Sequence, residues 1–147
     1  MLRLLLTSLM LISASSVSAE IIDIENAELA SLSASGVPVI DVRTAPEWEE
    51  SGIVPGSRLL TYFDEHGNAD PAAWLGKVKG FAKPADPVIV ICRSGRRSKA
   101  ASEFLSEQAG YKKVYNVKHG IGGWTKEGRP VAAAAPVLAS CRKAKTC

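Results

Sequence analysis

The sequence predicts a single α/β domain with a mostly parallel central sheet and helices on both faces. Short apolar or β-branched runs alternate with helix-patterned stretches along the chain, and parallel strands need such crossovers between them. The run Val88-Ile89-Val90-Ile91 has no polar face, as expected of a central strand buried on both sides. The chain has 147 residues, enough for one domain of ordinary size and too few for two.

The elements follow in order. Residues 1–19 read as a secretory signal peptide: Arg3 supplies the positive start, Leu4 to Ile12 the apolar stretch, and Val17-Ser18-Ala19 the small-residue end. The apolar stretch covers half of the roughly 20 residues that span a bilayer, so the expectation is cleavage after Ala19 and no permanent membrane anchor. Export would place the protein where disulfides persist, the periplasm if the source is bacterial. Ile21 to Ile24 is a strand, and Asn26 precedes the helix-spaced run Ala27 to Leu32, stopped by Gly36. Val37 to Val42 is a strand, after which Pro46 opens a short helix. Arg58 to Tyr62 reads as a short strand, Asp64 to Gly67 as a loop, and Asp70-Pro71 as the start of a helix running through Trp74 and Val78 to Gly80. Pro87 to Cys92 is the central strand, Ser98 to Gln108 a helix with Ala101, Phe104 and Leu105 on one face, and Val114 to Val117 the last strand. From Ala132 the alanine-rich stretch and Pro136 predict an irregular, loosely packed tail, 132–147.

Composition narrows the function classes. Hydrophobic residues at 46% and charged residues at 22% exclude a disordered, collagen-like or coiled-coil chain. A net charge of +3 with cations scattered among the acids gives no support to a nucleic-acid binder. Three cysteines are too few for a disulfide scaffold and lack zinc or iron–sulfur spacing, and an odd number leaves one thiol to explain.

The chemistry concentrates at Cys92, between an apolar strand and a helix, where open α/β sheets bind their ligands. The residues that follow, Arg93-Ser94-Gly95-Arg96-Arg97-Ser98-Lys99, put four cations and a glycine directly after the thiol. Gly95 allows backbone angles that aim successive N–H groups inward, and the helix start adds its positive dipole end. Both favour the thiolate, which is the nucleophilic form of cysteine.

These residues resemble the active-site loop of the rhodanese family, Cys-Arg-x-Gly-x-Arg. Upstream, Ile40-Asp41-Val42-Arg43 with Glu47 and Gly52-Ile53-Val54-Pro55-Gly56-Ser57 resemble the family's first signature, with Ile53 where the family often has histidine. Downstream, Val114-Tyr115-Asn116-Val117, Gly120-Ile121-Gly122-Gly123-Trp124 and Gly128-Arg129-Pro130-Val131 resemble its last. The resemblance implies a single rhodanese-like domain over 20–131. It implies a sulfurtransferase in which Cys92 takes the outer sulfur of a small anionic donor such as thiosulfate, holds it as a persulfide, and yields it to a thiol, cyanide or protein acceptor. Loop amides from Arg93 to Arg97 would cradle the outer sulfur, with Ser94, Gly95 and Ser98 in the same binding loop. Arg93, Arg96 and Arg97 would attract the donor's sulfonate. No metal or organic cofactor is implied.

Two other readings stay open. A phosphatase or arsenate reductase of the same superfamily would need arginine six positions after the cysteine, where this chain has Ser98 and places Arg97 one residue earlier. A noncatalytic interaction module would be expected to have lost the cysteine. Elsewhere, Asp41 and Arg43 with Glu47 nearby suggest an ion pair fixing the loop after a strand. His66 and His119 lack partners at ligand spacing and are expected at the surface, and Trp48, Trp74 and Trp124 in packing roles. Cys141 and Cys147 are close enough to pair as a disulfide, which would leave Cys92 as the odd thiol. A frayed tail with free thiols, or a tail thiol that accepts sulfur from Cys92, are the alternatives.

Overall fold

The computed structural model describes residues 19–147, so the expected signal peptide lies outside the described residues except for Ala19. Five strands form one parallel sheet: β1 (Glu20–Ile24), β2 (Val39–Asp41), β3 (Arg58–Leu59), β4 (Val88–Ile91) and β5 (Lys113–Val117). Their spatial order is β1-β5-β4-β2-β3, with β4 in the middle. Register pairs Ile89 with Val39 on one side and with Tyr115 on the other. Connecting them are α1 (Asn26–Ala34), α2 (Ala45–Ser51), α3 (Pro71–Val78) and α4 (Arg96–Glu103), and after β5 come α5 (Gly120–Lys126) and α6 (Ala134–Ala144).

Alternation along β4 sends its residues to two cores. Val88 and Val90 face Trp74 and Val78 of α3 and Ala101 of α4, while Ile89 and Ile91 face Leu29 of α1 and Ile121 and Trp124 of α5. All four are fully buried, so the apolar run is a central strand with helices on both faces. Trp74 and Trp124 each donate their indole N–H to a backbone carbonyl, of Leu60 and Pro130 respectively.

Several boundaries depart from the sequence expectation. The third strand is only two residues long, yet Leu60 N and Tyr62 N still bond Asp41 O and Val42 O, so the chain follows the end of β2 without a regular ladder. The helix expected from Ser98 begins at Arg96, because Gly95 sits in the left-handed region at φ 94° and closes the loop two residues sooner. Its far end, Phe104–Gln108, is a π-helical turn that takes both Leu105 and Ser106 inside.

The largest correction is the tail. In place of an irregular segment, α6 packs Ala134 and Leu138 against Trp48, Ile53 and Leu59 in a third core. Alanine is the best helix former, and Pro136 stands in the first turn, where its missing N–H costs no helical bond. A bridge between Ile53 and Ala132 leads the chain into the helix. Cys141 and Cys147 are disulfide-bonded across the end of α6, and Cys92 is left as the free thiol.

Candidate active site

Cys92 follows the last residue of β4 and is 1% exposed. Gly95 N donates to its Sγ at 3.1 Å and Ser98 Oγ approaches it at 3.3 Å. With Gly95 as N-cap, Ser98 is the third residue of α4, so its amide is one of the helix-start N–H groups that have no partner within the helix. Burial is the largest single influence on the thiol and pushes its pKa up. Donation from the Ser98 hydroxyl and from the amides of Ser98, Ser94 and Gly95 outweighs it, and the pKa lies below the ordinary cysteine value.

A second loop holds the first in place. Ile121 N and Gly122 N at the start of α5 donate to the carbonyls of Cys92 and Arg93, at 2.9 and 3.0 Å. A Cβ on Gly95 would stand 2.1 Å from Lys118 O, and one on Gly120 would stand 2.4 Å from the Arg93 carbonyl carbon. The two loops therefore touch backbone to backbone, which only glycine permits.

The loop cations do not act alike. Arg93, Ser94 and Arg96 are exposed and free to meet an incoming anion. Arg97, expected with them to attract the donor, is instead paired with a carboxylate: its Nη1 donates to Glu47 Oε2 at 2.8 Å and its Nη2 to Glu47 Oε1. The Glu47 carboxylate, turned to Arg97, takes no part in the pair between Asp41 and Arg43. Those two form a buried bidentate ion pair, and the remaining guanidinium donors reach Ser51 Oγ and the carbonyls of Gly52 and Glu47. The Arg97 contact holds the Glu47 carboxyl at about 2, well under its ordinary 4.5, with burial opposing and Thr44 assisting.

Behind the sulfur, Ser98 Oγ also lies 2.7 Å from Asn116 Oδ1, and Asn116 Nδ2 donates to Asp23 Oδ1 at 2.8 Å. Glu47 and Asn116 were not singled out as site residues by sequence. Glu47 is accounted for locally as the acid of the Thr44 capping box, and nothing nearby in sequence ties it to Arg97. His66 and His119 are exposed. Among the described residues no cluster of histidine, cysteine or carboxylate side chains could hold a metal ion, and no helix is long and apolar enough to cross a membrane.

The family model of the rhodanese-like domain matches residues 25–127. Thiosulfate sulfurtransferase 18 of Arabidopsis thaliana is 33% identical over 126 residues, covering 82% of this chain and 90% of its own. A sulfurtransferase of Allochromatium vinosum is 32% identical over 98 residues, 66% of this chain and 79% of its own. The solved structure of a rhodanese-related protein from Thermoplasma volcanium superposes with a TM-score of 0.58 at 29% identity, over 76% of this chain and 98% of that one. The strand-loop-helix around Cys92 lies inside the matched stretch 25–127, and the protein belongs to the rhodanese-like domain family.

Proposed function

We propose that the protein is a sulfurtransferase that works through a persulfide on Cys92. The single observation that supports this most is a buried sulfur at a strand end that receives Gly95 N–H at 3.1 Å and Ser98 Oγ at 3.3 Å, with its pKa drawn down. The thiolate attacks the outer sulfur of thiosulfate, the bond between the two donor sulfurs breaks, and sulfite leaves with the bonding pair. What remains is a Cys92 persulfide anion, stabilised by donors already pointing at the site before charge moves outward. A thiol or cyanide then attacks the outer sulfur and returns Cys92 as thiolate. Exposed Arg93 and Arg96 meet the sulfonate, while Arg97, paired with Glu47, fixes the loop's shape. We further propose that the protein is exported, on the strength of residues 1–19.

Intact-mass analysis before and after thiosulfate tests the reading. The mass of one added sulfur atom is expected, lost again on adding cyanide and absent in Cys92→Ser, since serine is a far poorer nucleophile at neutral pH. An unmodified mass with every donor tried would make the domain a binding module instead, and sulfur transfer by Cys92→Ser would refute the role of Cys92.

A further inference from the structure

The Ser98 hydroxyl has one proton and three acceptors. Asn116 Oδ1 lies at 2.7 Å, Gly95 O at 3.1 Å and Cys92 Sγ at 3.3 Å. Ser98 is fully buried and Asn116 is 2% exposed, so neighbouring water does not relieve the competition. The way the Asn116 amide faces is settled by its other end. Nδ2 must donate to the Asp23 carboxylate at 2.8 Å, which leaves only the accepting oxygen for Ser98. Register supports this arrangement, because Asp23 of β1 and Asn116 of β5 are direct partners across the parallel ladder.

We propose that Asn116 is a positioning residue that competes with Cys92 for the Ser98 proton and so tempers how readily the thiol ionises. While Cys92 is a thiol, Ser98 donates to its nearest acceptor, Asn116 Oδ1, and its own oxygen can accept from the S–H. When the thiol proton departs to solvent, the anionic sulfur becomes the strongest acceptor and the hydroxyl rotates toward it. Asn116 Oδ1 then loses its donor in a buried place, a cost that accompanies each ionisation. Asp23 matters by preventing the amide from turning over and donating to Ser98 instead.

Other charges also face this site. Arg97 interacts with the Cys92 charge and is itself held by Glu47, with Asp41 adding to its field. Asp41 is neutralised by Arg43, and Asp23 lies 4.0 Å from Lys99. Arg93 and Arg96 are exposed on the loop, and Lys118 and His119, after β5, face Glu25. An apolar substitution at Asn116 removes none of these charges but also takes a donor from Asp23, so comparison with the background lacking the Ser98 hydroxyl isolates the Ser98 hydrogen bond.

The inference takes its functional meaning from the proposed sulfur transfer, but its test reads the thiol alone. The experiment titrates the Cys92 thiolate by ultraviolet absorbance against a Cys92→Ser reference, with the other two cysteines disulfide-bonded. Asn116→Leu removes the nearest competitor for the Ser98 proton and leaves Gly95 O and Cys92 Sγ, of which the anionic sulfur is the stronger acceptor, so the titration is expected to move toward acid by about one pH unit. Ser98→Ala moves it toward base, and Asn116→Leu added to Ser98→Ala produces no further shift, because Asn116 acts only through that hydroxyl. Asn116→Val, a smaller side chain suited to a strand, carries the same expectation if leucine disturbs the packing. An unchanged or basic shift in both Asn116 variants, or a shift that persists without the Ser98 hydroxyl, would overturn the proposal. A protein that titrates as expected yet takes no sulfur from thiosulfate would overturn the transfer reading and leave the role of Asn116 standing.

Discussion

Arg97 and Glu47, 50 residues apart in sequence, are joined by two side-chain hydrogen bonds that tie the first turn of α4 to the first turn of α2. The pair is partly exposed, at 27% and 23% of the side chains, and it braces the cysteine loop against α2.

Glu47→Gln is expected to lower stability at neutral pH by about 1 kcal/mol, the scale of a well-formed but partly solvated pair. The folded carboxyl titrates at about 2 and the free one at 4.5, so the folded value is the lower. Its contribution is therefore present above pH 4.5 and fades as pH falls toward 2. Denaturant midpoints of the two proteins across that range should converge on acidification. Curves that stay parallel would mean that the Arg97 contact does not hold the carboxyl down.

Gly95 and Gly36 share the same backbone angle, φ 94°, but differ in what surrounds them. A Cβ at Gly36 would meet nothing within 4 Å, whereas at Gly95 it would stand 2.1 Å from Lys118 O. Gly36→Ala is expected to cost about 1 kcal/mol through the left-handed conformation alone. Gly95→Ala should cost about 3 kcal/mol, because the loops must also part, and thiosulfate turnover should fall with it. Equal melting shifts in the two variants would refute the backbone-to-backbone contact.

The Cys141 to Cys147 disulfide closes a short loop at the end of α6. Replacing both with serine is expected to lower stability by about 2 kcal/mol, the chain-entropy scale for so small a ring. Thiosulfate turnover should be retained, because the buried contacts of α6 with α2 and β3 are made by Ala134 and Leu138, with Cys141 only partly buried at their edge. If the double variant forms the Cys92 persulfide but cannot pass the sulfur on, the tail thiols are a relay. Protein recovered from its source is expected to begin at Glu20 and to carry this bond; a chain starting at Met1 would refute export.

Much of the fold was legible because its signals act over a few residues. The apolar run 88–91, the Asp70-Pro71 helix start and the glycine after Cys92 each specify their own neighbourhood by period, cap or backbone freedom. That was sufficient to place a thiol at the end of a central strand with a basic loop after it. The alanine-rich end misled because its composition resembles a linker, and only Trp48, Ile53 and Leu59, presented by α2, β3 and the turn between them, offer the apolar face that makes it a helix.

What tertiary structure decided is which distant groups meet. The order β1-β5-β4-β2-β3 puts Asp23 beside Asn116, 93 residues away, and Asn116 beneath Ser98. The same packing pairs Arg97 of the cysteine loop with Glu47 of α2. Hydrogen bonds and ion pairs operate over about 3 Å, so they depend on strand order and loop contact, whereas periodicity and capping are already present in the chain as written.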